Sequence, residues 1–239
     1  MNNAATNYVF GRKYKPSIVN GMVAYWKLKA NSNDSIGSLN GTNTNISFID
    51  NYASFASGNP SLIDFGDSNL FSFTDNINDK PFSFSIWVNF GTIIAGSSYT
   101  VFSKQLSGSA REYFLSLQAS GELWFSLFQF NVATPVLRAR CNLPGGFQNN
   151  TWYHIVGTYT ANKLSSGLKF YVDTVSYSTE GGPISGMSNT ASPLRLGVVN
   201  ANLQQFRGKL KEFALFDRVI TNVEINYAYN RGLSAQHLF

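Results

Sequence analysis

Between Phe82 and Phe90 every second residue is large and apolar: Phe82, Phe84, Ile86, Val88 and Phe90 alternate with Ser83, Ser85, Trp87 and Asn89. An extended chain points successive side chains to opposite faces, so this run reads as a strand whose apolar face lines a core. Runs of the same kind, separated by Gly, Asn, Ser and Pro, occur at Val23–Leu28, Ala53–Phe55, Leu62–Phe65, Val101–Lys104, Tyr113–Gln118, Glu122–Phe128, Val136–Asn142, Trp152–Thr160, Leu168–Asp173, Leu194–Val198 and Lys209–Phe216. About a dozen strands with hardly a helix predict an all-β, two-sheet antiparallel sandwich.

Ser120-Gly121 between Leu117 and Leu123 reads as a tight hairpin that fixes the register of two aromatic-rich strands. Longer polar stretches at Asn31–Asn45, Leu106–Arg111 and Thr174–Asn189 are expected loops, where sandwiches place binding surfaces. One short C-terminal helix is expected at Asn222–Arg231: Thr221 caps it, Glu224 completes a capping box and Gly232 suits the stop.

A chain of 239 residues can bury a sizeable core in a single domain. Aromatics are 15% of it and charged residues only 13%, so Ser, Thr, Asn and Gly must supply most of the polar surface. The net charge of +5 is spread along the chain, with one cluster at Arg12, Lys13 and Lys15. Nucleic-acid binding needs Lys and Arg gathered on one face, and no nucleic-acid partner is expected. A single cysteine, Cys141, allows no internal disulfide and reads as a small buried hydrophobe, and with only His154 and His237 beside it there is no zinc-holding set. Met1–Phe10 lacks the basic start and apolar stretch of a signal peptide, and no segment is long and apolar enough for a membrane helix, so neither export by that route nor membrane insertion is expected.

Residues 1–20 lack a clean period and read as an N-terminal arm preceding a domain at 21–239. Tyr8, Phe10, Arg12, Lys13, Tyr14 and Lys15 give the arm an aromatic and basic character that a purely solvated tail does not need, which suggests a segment that docks on a partner.

Over nearly all of Gly21–Gly232 the order of motifs resembles the concanavalin A-like, laminin G-like jelly rolls. The opening Gly21-Met22-Val23-Ala24-Tyr25-Trp26-Lys27-Leu28, followed by Asn33-Asp34-Ser35 and Asn40-Gly41-Thr42, is similar to the family's first strand and its Asn/Gly-rich loop. Phe82-Ser83-Phe84-Ser85-Ile86-Trp87-Val88, Trp152-Tyr153-His154-Ile155-Val156-Gly157-Thr158-Tyr159 and Leu168-Lys169-Phe170-Tyr171-Val172-Asp173 resemble three later strands. Pro193-Leu194-Arg195-Leu196-Gly197 and Phe206-Arg207-Gly208-Lys209-Leu210-Lys211-Glu212-Phe213-Ala214-Leu215-Phe216-Asp217-Arg218 resemble the last two, leading into the terminal helix. The resemblance implies a jelly-roll sandwich used for binding.

Some family members bind calcium through acidic residues at two positions that here look like Lys29 and Lys211. Ammonium groups repel Ca²⁺, so no metal is expected there and no cofactor at all, although Asp34, Asp64 and Asp67 leave another site open. Trp87 and Trp152 read as core or inter-sheet residues, and His154 as a strand histidine with a hydrogen-bond partner and no nucleophile nearby.

The fold also hosts glycoside hydrolases, which need two carboxyl groups facing one bond, supplied on a strand by acids at alternate positions. Glu112, Glu122, Glu180, Glu212 and Glu224 are isolated and no E-x-D-x-E run occurs, so no enzyme is expected. A glycan-binding surface needs rings to stack on sugars with amides nearby; Tyr99, Trp124, Phe128 and Phe130, with Arg111, Gln129 and Asn131, are the candidates. The functional expectation is a virion structural protein, a capsid-decoration or head/tail surface component assembled in the host cytoplasm. It would be multi-copy, anchored by its arm on a capsid or tail subunit, and able to bind surface glycans; the alternative is a free-standing lectin-like adhesion module.

Overall fold

A computed structural model describes residues 18–56, 60–106, 110–129, 135–199 and 204–234, together with two short strands at 8–9 and 12–13. In chain order the strands are β1 (Tyr8–Val9), β2 (Arg12–Lys13), β3 (Met22–Trp26), β4 (Thr42–Thr44), β5 (Ile46–Ile49), β6 (Tyr52–Phe55), β7 (Leu62–Asp64), β8 (Phe82–Phe90), β9 (Tyr99–Gln105), β10 (Arg111–Leu117), β11 (Leu123–Phe128), β12 (Pro135–Cys141), β13 (Trp152–Tyr159), β14 (Leu168–Val172), β15 (Val175–Tyr177), β16 (Thr179–Gly181), β17 (Leu194–Leu196) and β18 (Gly208–Phe216), followed by α1 (Asn222–Leu233). β1 and β2 pair as a ribbon of their own.

The other strands form two antiparallel sheets. The first runs β16-β12-β11-β10-β9-β17-β7-β4, and the second β15-β14-β13-β8-β18-β6-β5 with β3 also paired to β18. The sandwich and its terminal helix are those expected from the alternation. At the centre of the second sheet Leu210 stands opposite Val88 and Ile155 opposite Ile86, so the apolar residues of β8, β13 and β18 form one inward layer.

Large rings fill the space between the sheets. Phe84 meets Phe102 and Phe125, each at 4.8 Å between ring centroids, Phe73 stacks on Phe82 at 4.3 Å, and Trp26 lies 4.1 Å from Phe65. Burying a side chain of this size stabilises the fold by roughly 1.5–3 kcal/mol. The inward position of Gly157 is filled by neighbours: a Cβ there would fall 2.3 Å from Phe84 Cε1.

The outer face of the second sheet is also partly covered. α1 packs Ile225 and Ala228 onto Tyr25, Val156, Tyr171, Ala214 and Phe216. Its start follows the expected capping box: Thr221 Oγ1 accepts from the Glu224 N–H at 3.3 Å, and Glu224 Oε2 accepts from the Thr221 N–H at 2.8 Å. The helix runs past Arg231 and includes Gly232, the residue read as its stop. A Cβ at Gly232 would lie 2.0 Å from Trp87 Nε1, so glycine there lets the last turn seat on the Trp87 ring.

Two segments read as loop contain three strands. β4, with all three residues exposed, β15, largely exposed, and β16, half-buried, are held by backbone pairing to β7, β14 and β12.

Candidate functional site

Among the described residues, the rings chosen from the sequence do not make an open platform. Phe128 is fully buried, packed 5.6 Å from Phe114, and Arg111 lies over it at 5.5 Å. Although Phe128 points to the outer face of its sheet, that face is itself covered there, which corrects the expectation of an exposed ring. Trp124 is half-buried with one face capped by the Arg138 guanidinium at 3.9 Å, and its Nε1–H donates to Glu122. Gln129 Oε1 accepts from the Ser185 N–H at 3.2 Å. Phe130 and Asn131 lie outside the described residues, as do Phe10, Tyr14 and Lys15 of the arm; Tyr8 stands in β1, and Arg12 and Lys13 form β2.

His154 does have a hydroxyl beside it: Ser85 Oγ is 2.8 Å from Nε2. The pair is sealed beneath Trp87 and Tyr229, His154 is 1% exposed, and its Nδ1 has no hydrogen-bond partner. Burial lowers its pKa to about 3. With no substrate access and no third group to orient the ring, the pair is a packing element.

The carboxylates are committed as well. Asp34 accepts from the N–H groups of Tyr25, Ile36 and Leu39, Asp64 pairs with Arg195, and Asp67 pairs with the fully buried Lys104, which Glu112 holds from the other side. Glu122 and Glu180 meet Arg140, Glu224 meets Arg218, and Glu212 accepts from the Tyr25 hydroxyl. Among the described residues no three His, Cys, Asp or Glu side chains are grouped as a metal would need. Cys141 is buried in the core, where its thiol pKa is pushed up to about 12.

An opening lies at one end of the sandwich. It is a cleft of about 590 Å³ lined by Ile94, Ser97, Ser98, Tyr99, Gln204, Gln205 and Arg207. Two distant segments meet there: the Thr100 N–H donates to the Gln204 carbonyl at 2.8 Å, and Thr100 Oγ1 to Gln204 Oε1 at 3.0 Å. Tyr99, a sequence candidate, forms the wall. It is 4% exposed and its hydroxyl accepts from the Ile94 N–H, so it shapes the cleft, whose polar lining comes from the amide, hydroxyl and guanidinium groups around it.

A second hollow of about 360 Å³, lined by Ser54, Phe55, Gly91, Thr92, Arg207, Gly208 and Lys209, adjoins the first through Arg207. No acid lines either one. Such a surface can hydrogen-bond hydroxyls and attract negative charge, and it has no acid–base pair for bond cleavage. Apart from Tyr99, the sequence reading missed this end. The signal available was the alternation Arg207, Lys209, Lys211, which placed three cations on one side of a strand.

A family model for the concanavalin A-like lectin/glucanases superfamily matches residues 64–226, more than half of the chain. No curated protein matches the chain in sequence. Solved structures share its fold. The binding domain of Paraclostridial Mosquitocidal Protein 1 is 15% identical with a TM-score of 0.71, over 89% of this chain and 52% of that one. The receptor binding domain of botulinum neurotoxin D is 16% identical with a TM-score of 0.67, over 91% and 54%. Trypanosoma rangeli sialidase is 15% identical with a TM-score of 0.67, over 99% and 36%. The chain thus spans about half the length of the two toxin domains and about a third of the sialidase.

Proposed function

The chain belongs to the concanavalin A-like lectin/glucanases superfamily, and from that premise we propose that it is a non-catalytic carbohydrate-recognition domain that takes its ligand in the cleft between Ser97 and Arg207. The observation that carries the reading is the lining of that cleft: two hydroxyls, two carboxamides and a guanidinium on loops at one end of the sandwich, with no carboxylate pair. Glycans are recognised through hydroxyls, which such groups bind, and hydrolysis needs the acids that are missing from the lining. The likeness to the binding domain of Paraclostridial Mosquitocidal Protein 1 and the receptor binding domain of botulinum neurotoxin D supports the same direction.

Titration of the full chain against a panel of immobilised glycans tests this. Binding without release of reducing sugar is expected, and Ser97→Trp, which fills the cleft, is expected to abolish it. Hydrolysis of a bound glycan, or full binding by the Ser97→Trp variant, would refute the assignment.

The finer proposal places the domain on a virus particle, docked through residues 1–20 on a capsid or tail subunit. Its support is the aromatic and basic content of that segment, Tyr8, Phe10, Arg12, Lys13, Tyr14 and Lys15. Deleting residues 1–20 is expected to abolish incorporation into particles and to leave glycan binding intact; particles that incorporate the truncated chain normally would end this part of the proposal.

A further inference from the structure

Five cations of the sandwich are neutralised by acids: Lys104 by Asp67 and Glu112, Arg138 and Arg140 by Glu180, Arg195 by Asp64, and Arg218 by Glu224. Arg207, Lys209 and Lys211 are built differently. They stand at alternate positions leading into and along β18, roughly 7 Å apart by strand geometry, and none enters an ion pair among the described residues. Glu212, next to Lys211, sits at a bulge with φ of +55° and accepts from the Tyr25 hydroxyl, while its charge still favours the Lys211 ammonium against the effect of burial.

Aromatic rings hold two of these cations in place. Lys209 Nζ lies 4.8 Å from the Tyr52 ring centroid, and Lys211 Nζ lies 4.8 Å from Trp152 and 5.2 Å from Trp87. Lys211 also donates to the Gly232 carbonyl at 3.3 Å. A ring face fixes an ammonium without cancelling its charge, so the row stays electropositive. Asn89, paired across the sheet with both Lys209 and Trp152, carries a buried Oδ1 that has no hydrogen-bond partner. The row continues the cleft, since Arg207 lines both hollows and Lys209 the second.

We infer that Arg207, Lys209 and Lys211 form an anion-reading strip and that the ligand is an acidic glycan, a sugar chain carrying carboxylate or sulfate groups. The inference rests on the carbohydrate reading and names the ligand's charge. A single row of three cations bordered by hydroxyls and amides suits charges carried on a hydroxyl-rich chain. Nucleic acid calls for a broader basic face.

The test uses the full chain and matched polymers that differ only in charge: dextran against dextran sulfate, and fully methyl-esterified pectin against polygalacturonate, with polyglutamate as a polyanion that is not a sugar. At least one acidic member is expected to bind about tenfold or more tighter than its neutral partner, the worth of roughly one charge-assisted contact, and to weaken with salt. The Arg207→Gln/Lys209→Gln double variant is expected to lose that margin and retain any binding to the neutral polymer. Because Lys211 is half-buried between indoles, Lys211→Arg is compared with Lys211→Gln after thermal melts show both folded; the arginine variant is expected to retain the margin. Equal binding of neutral and acidic polymers, an unaffected double variant, or polyglutamate binding as tightly as the acidic glycans would overturn the strip and leave the carbohydrate reading standing. Failure to bind any polysaccharide would remove both.

Discussion

Lys104 Nζ, with no exposed side-chain surface, lies 2.9 Å from Glu112 Oε1 and 2.8 Å from Asp67 Oδ1, and it donates to the Ser192 carbonyl at 2.7 Å. The ammonium thus sits in a socket of oxygens. Burial raises the Glu112 pKa and the lysine opposes that rise. Removing one partner of such a pair strands the other's charge, so Lys104→Met is expected to destabilise the domain by about 3–5 kcal/mol in urea unfolding. Adding Glu112→Leu is expected to restore part of the loss. A Lys104→Met variant as stable as the parent would show that the socket does not hold the fold.

His154 supplies a pH term of defined sign. Its pKa falls from an ordinary 6.5 to about 3 in the fold because burial disfavours the imidazolium. Between these values the unfolded chain holds a proton that the folded chain does not, so this contribution is complete above pH 6.5 and is lost as the pH falls toward 3. The slope is about 1.4 kcal/mol per pH unit for one proton. Comparing the parent with His154→Gln by denaturant unfolding from pH 7 to 4 isolates it: the parent should lose stability faster, and identical slopes would contradict the burial argument.

Gly232→Ala offers a test in which two general rules disagree. Within a helix, alanine is normally better than glycine by about 1 kcal/mol. Here the added Cβ would fall 2.0 Å from Trp87 Nε1. Overpacking is therefore expected to win, with a loss of about 1–3 kcal/mol and a change in tryptophan fluorescence as the Trp87–Tyr229 stack opens. A stabilised variant would mean that α1 does not sit tightly on the sheet.

The location of the site can be tested against the sequence reading. Trp124 has one face covered by Arg138. Trp124→Ala is therefore expected to leave glycan affinity unchanged, whereas Ser97→Trp, which fills the cleft, should abolish it. The reverse pattern in a calorimetric titration would move the site to the outer face of the first sheet.

The sandwich was legible because β8, β13 and β18 each turn an apolar face into the core and a more polar one outward, and so carry the period of two in their sequences even where both faces are buried. β4 and β15 were not, since an exposed edge strand is specified by backbone bonds that any polar residue can make. The site was less legible for another reason. Whether Trp124 is open depends on β12, whose Arg138 reaches it across a neighbouring strand, and the cleft joins residues 94–99 to 204–207. Pairings of that range leave no mark on either segment alone. The cations at 207, 209 and 211 were visible as an alternation, and what the structure adds is that rings hold two of them and none forms an ion pair among the described residues.

The position of β18 has a consequence for how the protein is made. This strand lies in the middle of its sheet, bonded to β8 on one side and to β6 and β3 on the other, with β9 to β17 intervening in the chain between β8 and β18. A ribosome therefore delivers the central strand after nearly all the others, and until it emerges β8 keeps a long, apolar open edge. The sheet cannot close progressively during translation. Folding waits for the C-terminal segment, and a nascent chain stalled before Gly208 presents a surface suited to a chaperone, or to the same edge on another unfinished copy.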